Sequence, residues 1–281
     1  MSFLERTVES LRFAFRLGRR LQHFYRKNRS EFRALRRVLD WPSTLAMIAA
    51  SAPPLMRGPE ISLRLKKPAC SVRLRLATSD LQVFRQVFLE CQYRDPSSNS
   101  PQYIVDAGAN IGLSSVYFLA TFPSCRVVAV EPHPQNVTLA RQNLEAYGDR
   151  CRIVAGAVWN REGEIYVERG SFRGGDYWAC TTQEQHTDGG VLVPAARIES
   201  VAAEAGFPQI DLLKIDIEGA EVPVFESGPE TFLMMTKEIM IECHGDRADS
   251  AVCDALREHG FTWSLRGEVL HAVRAPGSST T

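Results

Sequence analysis

The chain has 281 residues, 44% of them hydrophobic and 23% charged, the make-up of a globular protein holding one large domain, or one domain and an appendage. Its formal net charge is zero, but residues 1–40 carry eleven basic and four acidic side chains, a net +7, which leaves −7 for the rest; an acidic body excludes a protein that coats nucleic acid. Seven scattered cysteines without any C-x-x-C pair exclude a zinc ribbon or a disulfide framework and point to a reducing, cytoplasmic setting.

Residues 3–39 space Phe, Leu and Val near helical intervals with Arg between them, which predicts one or two amphipathic basic helices. Their polar face is either a solvated surface or a contact for a membrane or a partner. The segment lacks the unbroken apolar centre of a secretory signal, and Leu45–Met56 is too short to span a bilayer. Pro53-Pro54 and Gly58-Pro59 mark a boundary. The expected organisation is a basic helical extension over 1–58, a body over 59–275 and a disordered tail over 276–281.

"ISLRLKKPACSVRLRL" (61–76) alternates about a Lys-Pro turn and predicts a β-hairpin. "TSDLQVFRQVFLECQY" offers Thr78, Ser79 and Asp80 as caps to a helix, and "DPSSNSP" (95–101) is a loop by composition. From Tyr103 strands and helices alternate. "YIVDAG", "CRVVAVE" and "CRIVAGAV" read as strands separated by helices over Leu113–Phe122 and Gln135–Tyr147. Residues 161–193, rich in Gly and aromatics, break the alternation and predict extra strands or a flap. "RIESVAAEAG" (helix), "IDLLKID" (strand), "AEVPVFESG" (short helix), "KEIMIEC" (strand) and "SAVCDALREHG" (helix) follow, and "FTWSL" with "EVLHAVR" closes as an antiparallel pair. The fold class is α/β, with a parallel sheet and helices on both faces.

"VDAGANIG" (105–112) leaves the first of these strands and opens a helix. Gly108 and Gly112 allow close backbone approach, and Asn110 tolerates left-handed torsions. Glu131 ends the second strand, 25 residues after Asp106, where a carboxylate can accept ribose hydroxyl protons. The spacing is not G-x-G-x-x-G, and Asp106 would repel a phosphate. An adenosine without phosphates but with cationic groups fits, as in S-adenosylmethionine. An NAD-type oxidoreductase is the rival reading, and a non-catalytic scaffold a third.

"YIVDAGANIGLSSVYF", "VVAVEPHPQNVTLARQNL", "IDLLKIDIEGAEVPVFESG" and "MIECHG" together resemble the FkbM-type methyltransferases, which use S-adenosylmethionine; the similarity runs from about Arg73 to about Val273. It implies a Rossmann-like class I methyltransferase sheet of seven strands, the last pair antiparallel. It also implies O-methylation of a sugar, glycan or polyketide-like hydroxyl. Asp106, Gly108, Asn110 and Gly112 would then form the loop on the methionine side and Glu131 the ribose clamp. For the adenine amino group, Asn160 or a backbone group in "AGAVWN" would serve.

The strand "IDLLKID" ends in Lys214 and Asp216, with Glu218 two residues on, and ligands of open α/β sheets bind at such carboxyl ends. Asp216 is the first candidate to take the acceptor's proton, Lys214 orients it, and His244 after "IEC" competes for the role. Glu218 and Glu221 are also explained as first-turn charges on the next helix. The plain expectation is a metal-free site, with Asp216, Glu242 and His244 as the set that would hold magnesium if one were used. Neither the identity of the acceptor nor the oligomeric state is legible.

Overall fold

The structure, a computed structural model, describes residues 29–50, 60–97, 100–169, 180–183 and 190–275. Most of the predicted basic N-terminal helix (3–28), parts of the 161–193 insert and the tail lie outside them. The chain divides into two compact units, one ending at Leu76 and the other beginning at Ala77, later than the break expected at residue 58.

The first unit holds α1 (Arg29–Val38), α2 (Trp41–Ala50) and the predicted hairpin, β1 (Glu60–Lys66) with β2 (Ala69–Arg75). Ile61, Leu63 and Leu65 alternate inward and are buried with Val72 and Leu74, as a two-residue period requires. The Asp40 carboxylate accepts the Ser43 N–H at 2.8 Å and starts α2.

In the second unit α3 (Asp80–Phe84) runs on into a π-helical turn, Arg85–Leu89. The strands β3 (Tyr103–Ala107), β4 (Arg126–Glu131) and β5 (Cys151–Ala155) alternate with α4 (Leu113–Thr121) and α5 (Pro134–Leu144). Three short strands follow within and beside the insert: β7 (Gly163–Arg169), β8 (Cys180–Gln183) and β9 (Val191–Ala196). The order then runs α6 (Ile198–Glu204), β10 (Leu212–Ile215), α7 (Glu221–Glu226), α8 (Glu230–Met235), β11 (Glu238–Glu242), α9 (Asp246–Glu258), β12 (Phe261–Arg266) and β13 (Val269–Arg274).

Seven strands form one sheet in the order β12-β13-β11-β10-β3-β4-β5, parallel except that β13 lies antiparallel between β11 and β12. This is the α/β Rossmann-like arrangement expected, closing pair included. β10 and β11 are buried along their whole length, which explains their unbroken apolar runs. The order reverses at β3, so the carboxyl ends of β3, β4, β10 and β11 open onto one crevice.

Three details depart from the sequence reading. "CRIVAGAV" is not one strand: β5 pairs with β4, whereas β6 (Ala157–Val158) joins a second sheet of order β6-β9-β7-β8. The switch falls at Gly156, where a Cβ would lie 2.7 Å from the Pro194 carbonyl oxygen. α8 was not expected, because fewer than two turns give periodicity little to work with. α9 begins at Asp246, ahead of the predicted Ser250, after Gly245 with φ +102°. No helix among the described residues is long and apolar enough to cross a membrane.

Candidate active site

The crevice opens onto a cavity at these strand ends, concave and partly enclosed as small-molecule sites are. Its wall comes from the turn after β3 (Gly108, Asn110), the end of β4 (Glu131), β6, the tip of β10 (Asp216) and the segment 83–93.

Gly108 is required by contact as well as by torsion. Its φ is +79°, and a Cβ there would lie 1.8 Å from the backbone oxygen of Asp216. Gly112 (φ +82°) starts α4, and a Cβ would crowd Leu144 at 3.0 Å. Asn110 takes the predicted left-handed torsion (φ +52°), lines the cavity and carries a buried Oδ1 with no hydrogen-bond donor. Glu131 is buried in the wall. Its Oε2 accepts the Asn110 N–H at 2.9 Å, and its Oε1 accepts the His133 N–H and the Asn136 amide, both at 3.0 Å. Burial raises the Glu131 pKa above its ordinary value despite these three donors and Lys214. A carboxylate offers about four acceptor sites. With three taken, Glu131 has room for about one further donor rather than both ribose hydroxyls.

Asp106 stands behind the cavity wall. It is fully buried and outside the cavity wall, because Ser114 and Ser115 at the start of α4 each donate to its Oδ2 at 2.6 Å and Lys214 Nζ lies 3.2 Å from its Oδ1. Asn160 is likewise displaced, in a small dent beside Trp159, Arg197 and Phe232. Ala157 and Val158 stand at the cavity instead, because the chain has switched sheets there.

The acidic corner lies at the tips of β10 and β11. Lys214, 2% exposed, donates to the Gly108 carbonyl at 2.6 Å and sits 3.8 Å from Asp216 Oδ2. Burial alone would depress its pKa, but Asp106, Asp216 and Glu131 outweigh it and hold the ammonium above the ordinary lysine value. Asp216 faces the cavity and is 30% exposed, which leaves it free to meet an acceptor. Glu242 is nearly buried, accepts the Gln92 amide at 3.2 Å, and has its pKa raised by burial and by Asp216.

His244 Nδ1 lies 2.8 Å from Glu221 Oε1, and its Nε2 points between Glu218 Oε2 (3.4 Å) and Asp216 Oδ1 (3.8 Å). Burial by itself lowers the imidazole pKa, but Glu221, Glu218 and Asp216 raise it to about 9. Burial and the Asp216 charge push Glu218 up to about 7. Asp216, Glu218 and His244 offer ligand atoms within 4.8 Å of one another. This cluster has Glu218 where the set named from sequence for a metal, if one were used, had Glu242.

Sequence reasoning missed several contributors. Ser114 and Ser115 fall in the first turn after the glycine loop, eight and nine residues past the carboxylate to which they donate, and a helix-start pattern would have found them. Gln92 and Tyr93 line the cavity from a stretch read only as helix, and no local signal marks them. Glu221, which the sequence explains as a helix-start charge, is fully buried and holds His244.

A family profile described as the Methyltransferase FkbM domain matches residues 106–262. The 2-O-methyltransferase NoeI of Sinorhizobium fredii is 30% identical over 201 residues, covering 67% of this chain and 79% of NoeI. The 31-O-demethyl-FK506 methyltransferase FkbM of Streptomyces tacrolimicus is 26% identical over 210 residues, covering 64% and 81%. The AMB antimetabolite synthetase AmbE of Pseudomonas aeruginosa is 29% identical over 231 residues, 67% of this chain, which spans only 11% of that relative. The profile runs over more than half of the chain, through the glycine turn, Glu131 and the acidic corner, and the chain belongs to the FkbM methyltransferase family.

Proposed function

We propose that the protein is an S-adenosylmethionine-dependent O-methyltransferase acting on a hydroxyl of a sugar, glycan or polyketide-like small molecule. The observation that carries this reading is that the Gly108–Asn110–Glu131 wall and Asp216 face one cavity. S-adenosylmethionine, when bound, supplies a methyl carbon attached to a sulfonium. Glu131 accepts one ribose hydroxyl with its remaining acceptor site, Asn110 Oδ1 offers a buried acceptor without a donor, and Val130 with Val158 supplies apolar wall. Asp216 accepts the proton of the acceptor hydroxyl, and Lys214 keeps it oriented. His244 is set back from the cavity wall, so the direct role falls to Asp216. The names of NoeI and of the Streptomyces FkbM enzyme, both O-methyltransferases, support the choice of oxygen as acceptor atom.

Calorimetry with S-adenosylhomocysteine and with NAD in parallel tests the donor. Saturable binding of the first and none of the second is the expected result, and the reverse would return the site to the oxidoreductase reading. Transfer of labelled methyl to a panel of saccharide and macrolide acceptors then tests the oxygen, with the product identified by mass.

A further inference from the structure

The acidic corner has a feature that proton abstraction does not use. His244 has a side chain only 4% exposed, yet its Nε2 has no hydrogen-bond partner and is aimed into the gap between two carboxylates. A buried polar atom left without a partner costs free energy, and such atoms are rare in native interiors. Its other nitrogen is held by Glu221, which is fully buried and whose second oxygen accepts the Gly219 N–H at 2.8 Å. That bond fixes the ring with Nδ1 towards Glu221, the carboxylate contact that orients metal-ligating histidines, and leaves Nε2 to bind an ion that displaces its proton.

We infer that Asp216 Oδ1, Glu218 Oε2 and His244 Nε2 form a site for one divalent cation, with Glu221 as the residue that positions His244. Ligand bonds of about 2.1 Å place neighbouring ligand atoms about 3.0 Å apart in an octahedral site and about 3.4 Å apart in a tetrahedral one. His244 Nε2 lies 3.4 Å from Glu218 Oε2 and 3.8 Å from Asp216 Oδ1, and all three ligand atoms fall within 4.8 Å of one another, so the side chains must draw together on the ion. Two carboxylate oxygens suit a hard divalent ion such as Mn²⁺, which also accepts one imidazole nitrogen. Asp216 and Glu218 line the cavity, so the positions left open on the ion face the space assigned to the acceptor, where an ion lowers the pKa of a hydroxyl bound to it. Only this last role rests on the methyltransferase reading. The site itself rests on the three side chains.

The test is Mn²⁺ titration of the full chain, stripped with a chelator and followed by electron paramagnetic resonance, with Mg²⁺ and Zn²⁺ as competitors. S-adenosylhomocysteine affinity is measured on the same preparation. One saturable Mn²⁺ per chain is expected, weakened at least tenfold by His244→Gln and by Glu218→Gln, with S-adenosylhomocysteine affinity kept as the sign of an intact fold. Glu221→Gln should weaken Mn²⁺ by ten- to a hundredfold and broaden its spectrum without removing a ligand. Adenosyl-ligand binding with no saturable Mn²⁺, Mg²⁺ or Zn²⁺ binding, or variants that bind Mn²⁺ as the parent does, overturns the ion site alone. Mn²⁺ bound with no adenosyl-ligand binding upholds the ion site and overturns the donor reading alone.

Discussion

Lys214 Nζ lies 3.2 Å from Asp106 Oδ1, and neither side chain has more than 2% of its surface exposed. This pair joins β10 to β3, with Lys214 in the cavity wall and Asp106 behind it. A buried ion is costly once its partner is gone. Lys214→Met should therefore lower unfolding stability by about 3–5 kcal/mol, and adding Asp106→Asn should recover a large part of it. Urea unfolding of the two single variants and the double variant checks this. Strictly additive losses would remove the coupling.

Glu131 is saturated on one oxygen, so its loss acts on the ligand and on the protein at once. Glu131→Gln leaves one amide oxygen and removes the charge. S-adenosylhomocysteine affinity should fall about ten- to a hundredfold, the range of one hydrogen bond to a charged group, about 1.5–3 kcal/mol. An unchanged dissociation constant would sink the ribose assignment.

Asp216→Asn should leave S-adenosylhomocysteine affinity within about threefold and lower turnover about a hundredfold or more, the scale of a lost positioned base. Comparing calorimetric affinity with initial rates separates the two effects. Loss of affinity in step with turnover would make Asp216 a donor-binding residue instead.

Gly108→Ala forces a methyl group to 1.8 Å from the Asp216 carbonyl at φ +79°. The backbone oxygen cannot rotate away, so the turn and the tip of β10 must separate. A stability loss of about 2 kcal/mol or more is expected, together with loss of adenosyl-ligand binding. Thermal melts with and without S-adenosylhomocysteine measure both. A full ligand-induced shift in the variant would contradict the close approach.

Asp211 predicts a pH dependence. It accepts the Gln102 and Tyr103 N–H groups at 2.8 and 3.0 Å and pairs with Lys237 at 2.8 Å, tying the start of β3 to β10. Burial alone would raise its pKa, but these partners outweigh it and hold the carboxyl below its ordinary 3.8. A folded pKa below the unfolded one gives stability that is full above the unfolded value and is lost as pH falls through the folded value. Asp211→Asn should thus cost stability at pH 7 and progressively less below pH ~4. Urea midpoints at the two pH values test the sign, and a difference that grows on acidification would refute it.

How much was legible in the sequence follows from where each signal resides. The apolar runs of Ile104–Val105, Val127–Val130 and Leu212–Leu213, the glycine turn and the cap-and-helix pattern are local. They determined the strand–helix order, the antiparallel closing pair, the family and the place of Glu131 and Asp216 at strand tips. Periodicity reports whether a side chain is buried, because burial on a strand or helix follows from one face meeting the core. It does not report which distant partner that side chain finds. Tertiary structure alone decided that Asp106 spends its charge on Lys214 and two serines, and that Glu131 keeps room for one donor. It also decided that Asn160 leaves the cavity when the chain changes sheets at Gly156. The meeting of Glu218 with His244, 26 residues apart, exists only because β10 and β11 lie side by side and end at the same level.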